Sequence, residues 1–262
     1  VTTTFDKGLA LLHAVLAAEL GSAGYPGNVR LAELIGVDAA QASRMLKDLA
    51  ALDLVERDEQ GRGWRIGPGF FALAKAAADR HLLVAARPPL RGLVARWHEP
   101  AWLAVPSQGM VLTVESQLSH WSSYVAAAPG ALTPIWCTGP GRALLLDHSE
   151  QELAALLGDV EFVGGGPRAA RDIATLAAYN ATARADGVVI ADREFEHDVV
   201  DFSAAVRDGS GAVVAALSLA VPRFRLAGRS AEIAASVKAA AAALEVRAAA
   251  GRATQRADRP DP

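Results

Sequence analysis

Five side chains between positions 40 and 47 pose the first chemical question: Ala40, Gln41, Ser43, Arg44 and Lys47. They offer a small apolar surface, an amide, a hydroxyl, a guanidinium and an ammonium, groups that suit base edges and phosphates in a DNA major groove. Ala40, Arg44 and Lys47 lie opposite an apolar stripe of Ala42, Met45, Leu46, Leu49 and Leu52 at helical spacing. Asp38 stands just ahead, where a carboxylate can cap a helix start. A shorter helix before it carries Leu31, Leu34 and Ile35 at i, i+3, i+4, with Gly36-Val37 as the joint. After it, Val55-Glu56-Arg57 and Trp64-Arg65-Ile66 alternate as two strands around a glycine-tipped turn that holds Arg62. Helix pair, cap and hairpin in that order predict a helix-turn-helix followed by a β-wing, with Arg62 as a further DNA contact. The competing reading is an ordinary helical hairpin with a solvated polar face.

A catalytic set does not assemble. His13, His81, His98, His120, His148 and His197 are scattered without metal-ligand spacing. Glu194, Glu196, His197 and Asp198 read as a solvated loop rather than a metal site. Cys137 sits near a helix start, where a thiolate is favoured, yet no histidine is close in sequence to serve as its base. As the one cysteine it excludes a disulfide framework. No cofactor is called for.

Binding is better served. Trp97, Trp102, Trp121 and Trp136 cluster in sequence, joined by Tyr124. Aromatic walls suit a planar ligand, although any one tryptophan is more simply a core or interface residue. Thr138-Gly139-Pro140-Gly141 opens a helix whose N–H groups favour a ligand oxygen.

At 262 residues and 52% apolar content, two globular domains are the natural expectation. Net charge is −3, and residues 1–68 carry seven basic against nine acidic groups. That argues against strong non-specific DNA affinity but leaves specific binding open, because the cations cluster on the proposed reading face and wing. Residues 69–96 are basic, five cations against Asp79. No run approaches 18 uninterrupted apolar residues and no secretion signal is evident, so a cytoplasmic protein with no membrane partner is expected.

The elements that must position these residues follow from periodicity. A helix over 5–20 buries Leu9, Leu12, Leu16 and Leu20, and a mobile glycine-rich loop follows at 21–27. The winged domain occupies 1–68. A linker helix over 69–87 begins with Phe70 and Phe71, which pack on a second copy or on their own winged domain. Pro88-Pro89 fit the first turn of a further helix bearing Leu90, Leu93, Val94 and Trp97, and open a second domain over 88–250. That domain reads as strands at 101–105, 110–115, 122–126, 188–190, 202–207 and 213–220. Helices alternate with them at 141–146, 150–157, 173–185 and 230–249. Gly164-Gly165-Gly166-Pro167 is a loop with no phosphate-binding context. A polar tail over 251–262 is expected to be disordered. The fold class is α+β, a sheet covered by helices.

Three stretches in order resemble the IclR family of bacterial transcriptional regulators over nearly the whole chain. They are ASRMLKDLAALDLVERD followed by WRIGPGFFALA, then PIWCTGPGRALLL, then ADGVVIADREF through SAAVRDGSGAVVAALSLAVP. The resemblance implies a winged helix-turn-helix, a connecting helix and a GAF-like effector domain. It also implies dimers, often paired into tetramers, on palindromic operator DNA. Carried over by position, Cys137, Thr138, Gly139, Asp192, Asp201 and Ser203 join Trp102, Tyr124 and Trp136 as expected effector contacts. Trp136 stands where the family often has histidine and Arg142 where it has lysine. Asp201 stands where it has an apolar residue or cysteine, and Ser203-Ala204-Ala205-Val206 stand for Ala-Ala-Pro-Val. An inward Asp201 needs a hydrogen-bond donor or must neutralise itself. The expected effector is an aromatic carboxylate or a neutral amide- or hydrazide-like derivative. The alternative is a small-molecule-binding or hydrolytic enzyme whose winged helix mediates protein contacts.

Overall fold

The computed structural model describes residues 3–20, 24–58, 60–78, 81–119 and 128–257. For residues 20, 74–78, 81 and 249–257 it describes the backbone alone. The strand expected at 122–126, part of the 21–27 loop, Tyr124 and Trp121 therefore lie outside the described residues. Contacts divide the chain into two compact units, residues 1–79 and 80–262. Among the described residues no helix is long and apolar enough to cross a membrane.

In the first unit α1 (Thr4–Leu20), α2 (Asn28–Ile35) and α3 (Ala39–Ala51) precede the hairpin of β1 (Val55–Arg57) and β2 (Trp64–Ile66), then α4 (Pro68–Ala78). Gly36 ends α2 in the left-handed region at φ 70°, which a glycine adopts without strain, and this makes the tight joint. Asp38 Oδ1 accepts the Gln41 N–H at 2.7 Å, the N-cap read from sequence. The core gathers Leu11, Val15, Leu31, Ala42, Leu46, Val55, Trp64 and Ile66.

Burial on α1 differs from expectation. Leu11 and Val15 are fully buried, Leu9 is 43% exposed, and Leu12 and Leu16 only flank the core. The i, i+4 pair facing α2 and the wing takes the centre, and the leucines one step around the helix do not. Leu34 and Leu52 are likewise exposed, at 59% and 68%. On α4, Phe70 packs against the unit's own core, whereas Phe71 and Leu73 are exposed.

Two side chains tie the wing down. Glu19 accepts the Ile66 N–H at 2.9 Å. Asn28 Oδ1 accepts the indole N–H of Trp64 at 2.6 Å, and Arg57 stacks over the same ring at 4.1 Å.

The second unit begins with α5 (His81–Trp97), which runs straight through Pro88 and Pro89 rather than starting at them. Ala86, Leu90, Leu93, Val94 and Trp97 all join one core cluster, and that burial offsets the lost helix hydrogen bonds. The stretch expected as one linker helix thus holds α4 and the first turns of α5. Then come β3 (Ala101–Ser107), β4 (Met110–Gln117), β5 (Leu132–Pro134), α6 (Gly139–Leu144), α7 (Glu150–Leu157) and α8 (Ile173–Asp186). The unit closes with β6 (Val189–Asp192), β7 (Val199–Arg207), β8 (Val213–Pro222) and α9 (Ser230–Ala257). Helix α9 enters the stretch expected as a disordered tail, and residues 258–262 lie outside the described residues.

The six strands form one antiparallel sheet in the order β5-β4-β3-β8-β7-β6. Alternation divides its faces. Leu103, Phe202, Ala204, Leu217 and Leu219 pack under α5 and α9. Trp102, Ala104, Ala216 and Ala220 face α6, α7 and α8. The same period places Asp201, Ser203 and Ser218 on the α6 side.

Replacing Asn28 with alanine leaves the buried Trp64 N–H without an acceptor, which costs about 1–3 kcal/mol. Differential scanning calorimetry of the Asn28→Ala chain should show the first unit melting several degrees lower with the second unchanged. An unaltered first transition would show that this bond does not hold the wing.

Candidate functional site

Two surfaces carry the sequence-predicted residues. On the first unit, Ala40, Arg44 and Lys47 are exposed along α3, and Gln41 and Ser43 are half-buried beside them. Arg62 is exposed at the wing turn, where Asp58 Oδ1 accepts the Arg62 and Gly63 N–H groups at 2.6 and 2.8 Å. A capped helix thus presents one cation-bearing face, and a pinned turn presents another cation.

The second surface is a pocket between the sheet and the start of α6. Thr138 caps α6: its hydroxyl accepts the Gly141 N–H at 3.2 Å and donates to the Pro134 carbonyl at 2.8 Å. A Cβ at Gly141 would run into the Ile135 carbonyl oxygen. One at Gly139 would lie 2.5 Å from the Asp201 Cβ and 2.7 Å from the Ser203 Oγ. Backbone therefore lies directly on β7. Asp201 Oδ2 accepts the Gly139 N–H at 3.4 Å, and burial pushes the carboxyl up to about 7.

The pocket is lined by Trp102, Thr113, Ala131, Thr133, Thr138, Pro140, Ala191, Phe195, Glu196, Val199 and Asp201. Its cavity volume is about 80 Å³, against the roughly 10–15 Å³ that one water needs, which leaves room for a small organic molecule.

Of the residues expected there, Trp102, Thr138 and Asp201 stand on the wall and Gly139 abuts it through Asp201. Ser203 lies beneath, fully buried, its hydroxyl 2.8 Å from that of Ser218. Trp136 is elsewhere: its ring packs at a tilt against Phe162, centroids 5.0 Å apart, inside the core under α6–α8. Trp97 belongs to the core on the opposite face of the sheet. The aromatic cluster read from sequence is thus split by strand and helix geometry, and Phe195 supplies the second ring. Cys137 is fully buried, and burial pushes its thiol up to about 12, the reverse of the thiolate that its place near a helix start suggests. Asp192 lines a separate cleft with Arg142, Arg168 and Tyr179. There it pairs with Arg168 at 2.6 Å and with Arg223. Tyr124 is outside the described residues.

The polar stretch read as a solvated loop is only partly so. Glu196, His197 and Asp198 are exposed, but Glu194 is buried and receives Arg142 at 2.6 Å. Arg142 also donates to Asn180 Oδ1 at 3.1 Å and lies over the Tyr179 ring at 5.1 Å. Burial pushes Glu194 up to about 7 against the pull of Arg142. This lock holds the loop against α6 and so brings Phe195 and Glu196 to the pocket. Loop residues carry no periodic signal that could have announced them. Thr113, a lone polar group facing inward on β4, could have been noticed. Among the described residues no three His, Cys, Asp or Glu side chains gather as a metal site.

Residues 74–246 match the family model for the C-terminal part of the bacterial transcriptional regulator IclR. The HTH-type transcriptional repressor AllR of Escherichia coli (strain K12) is 31% identical over 185 residues, 70% of this chain and 68% of that protein. AllR of Salmonella typhi is 28% identical over 184 residues, again 70% and 68%. Among solved structures, an IclR homolog of Microbacterium hydrocarbonoxydans complexed with 4-hydroxybenzoate aligns at TM-score 0.82 and 20% identity, over 95% of this chain and 100% of that one. Thermotoga maritima IclR aligns at 0.76 and 17%, over 94% and 98%. These two likenesses show the fold, while the family model and the Escherichia coli relative carry the assignment. The chain belongs to the IclR family of bacterial transcriptional regulators.

Proposed function

We propose that this chain is a ligand-responsive repressor. Helix α3 and the wing read a palindromic operator, and a small aromatic acid or its amide- or hydrazide-like derivative bound between α6 and the sheet alters that affinity. The observation that carries the reading is the pocket: two aromatic residues, a helix cap and a buried carboxylate line a cavity with room for a small ring. On DNA, Arg44 and Gln41 would read base edges, while Lys47 and Arg62 would bind phosphates. One such helix reads too few bases for useful specificity, so two or four copies are expected on the operator. The exposed Phe71 and Leu73 on α4 give self-association an apolar surface. AllR is a named repressor and the Microbacterium homolog is a named 4-hydroxybenzoate complex, and both names agree with this reading.

Selection of duplexes from a random pool, followed by binding titration, tests it. An enriched palindromic site is expected. Arg44→Ala should weaken binding to that site by about 1–3 kcal/mol, roughly five- to 150-fold, while Lys47→Ala should lower the salt dependence by about one counterion. Binding by Arg44→Ala equal to wild type, or no enriched site, would contradict the proposal.

Asp201 adds a pH signature. Its carboxyl is raised from 3.8 unfolded to about 7 folded, so the folded chain holds the proton longer. The stabilisation is full below about 4 and is lost as pH rises through about 7. Asp201→Asn removes that loss. Chemical denaturation should show the stability gap between variant and wild type moving in favour of the variant from pH 5 to pH 8. A gap that does not change with pH would show that Asp201 is not a buried, titrating group.

A further inference from the structure

The charged groups on the pocket wall are of one sign. Among the described residues it carries Asp201 and Glu196 and no lysine or arginine. Residues 120–127, outside the described set, contain one titratable base, His120, and neither lysine nor arginine. The nearby cations are engaged elsewhere. Arg142 is held by Glu194 and Asn180, Arg168 and Arg223 by Asp192, and Arg171 by the Phe162, Gly164 and Gly166 carbonyls.

Trp102, Thr113 and Thr133 bring an N–H and two hydroxyls to the wall, none of them bonded to Asp201, and the hydroxyls beside Asp201 are already engaged. The Thr138 hydroxyl gives its proton to the Pro134 carbonyl, and the Ser203 and Ser218 hydroxyls pair with each other. Asp201 is left with one long bond, from the Gly139 N–H to Oδ2 at 3.4 Å. Its Oδ1 has no hydrogen-bond partner among the described residues, although the side chain is 91% buried, its residual exposure being 9%. A buried carboxylate in that state lacks donors, and the open side of Asp201 is the pocket. A carboxylate entering the same space would add a third acidic group next to two and would bring no donor.

We propose that the effector of this chain presents N–H donors, as an aromatic amide, hydrazide or amine does, and not a free carboxylate. Asp201 accepts those donors at the closed end and Glu196 does so at the mouth, while Trp102 and Phe195 hold the ring. This rests on the reading that the pocket is the effector site. It deepens that reading by choosing between the acid and its nitrogen derivatives.

Calorimetric titration of the full chain at pH 8 with 4-hydroxybenzoate, 4-hydroxybenzamide and 4-hydroxybenzohydrazide tests it. The amide or the hydrazide should bind at least tenfold more tightly than the carboxylate. Asp201→Asn should reduce that ratio at least tenfold, because its amide can donate to a carboxylate. Glu196→Gln, an exposed and structurally neutral change, should reduce it severalfold. Equal or tighter binding of the carboxylate, a ratio untouched by both variants, or silence of all three compounds would overturn the inference. Ala131→Trp, at a half-buried position of the wall, separates this from the reading beneath it. Binding that survives in Ala131→Trp places the ligand elsewhere and removes the site itself. Binding abolished by Ala131→Trp but favouring the carboxylate in wild type keeps the site and sinks only the choice of ligand.

Discussion

The second unit depends on a helix meeting a sheet with bare backbone between them. The first turn of α6 presents Gly139 and Gly141, and a methyl group at either position would collide with β7 or with the Ile135 carbonyl. Close packing there makes the Gly139 N–H a partner of Asp201 and sets Thr138 over the pocket floor. The buried Arg142, one residue further on, then reaches Glu194 and Asn180. One short helix thereby joins α8, the sheet and the loop after β6 into a single wall. A buried ion pair is weak evidence of stability by itself, because desolvation opposes the attraction. Its value here is positional: it fixes which way the loop folds, and Phe195 and Glu196 follow.

The winged unit is arranged on a similar economy of contacts. Its wing strands are only three residues long, and a hairpin that short is marginal alone. Glu19 and Asn28 tie it to α1 and α2 through a backbone N–H and an indole N–H. Arg44 and Lys47 on α3 and Arg62 at the wing turn are left exposed. An acidic chain can still leave these cations exposed, because some of its acids are engaged in caps and turns: Asp38 on α3, Asp58 in the wing, Glu19 on β2.

Much of this was legible in the residues because periodicity and turn chemistry are local. The N-cap at Asp38, the left-handed Gly36, the hairpin at 208–211 and the full extent of α7 follow from neighbours in sequence. What failed needed tertiary information. Leu9 looks as apolar as Leu11, and only the partner elements decide which one is covered. Pro88-Pro89 forbids local hydrogen bonds, but the packing of Leu90 and Trp97 overrides it. Strand β5 has no alternation to announce it and exists because β4 offers an edge. Trp136 and Trp102 are both tryptophans near the same helix, and the direction of one side chain separates core from wall.

A winged helix-turn-helix unit and a pocket share one polypeptide, and thermodynamic linkage gives that union a strict consequence. If occupancy of the pocket changes affinity for the operator, the operator must change affinity for the ligand by the same factor. The most direct test is the calorimetric affinity of the full chain for 4-hydroxybenzamide, measured alone and with a saturating amount of its selected duplex. Coupling of the usual size predicts a difference of about fivefold or more. Identical affinity in the two titrations would contradict the account, for it would mean that the two units share a chain and nothing else.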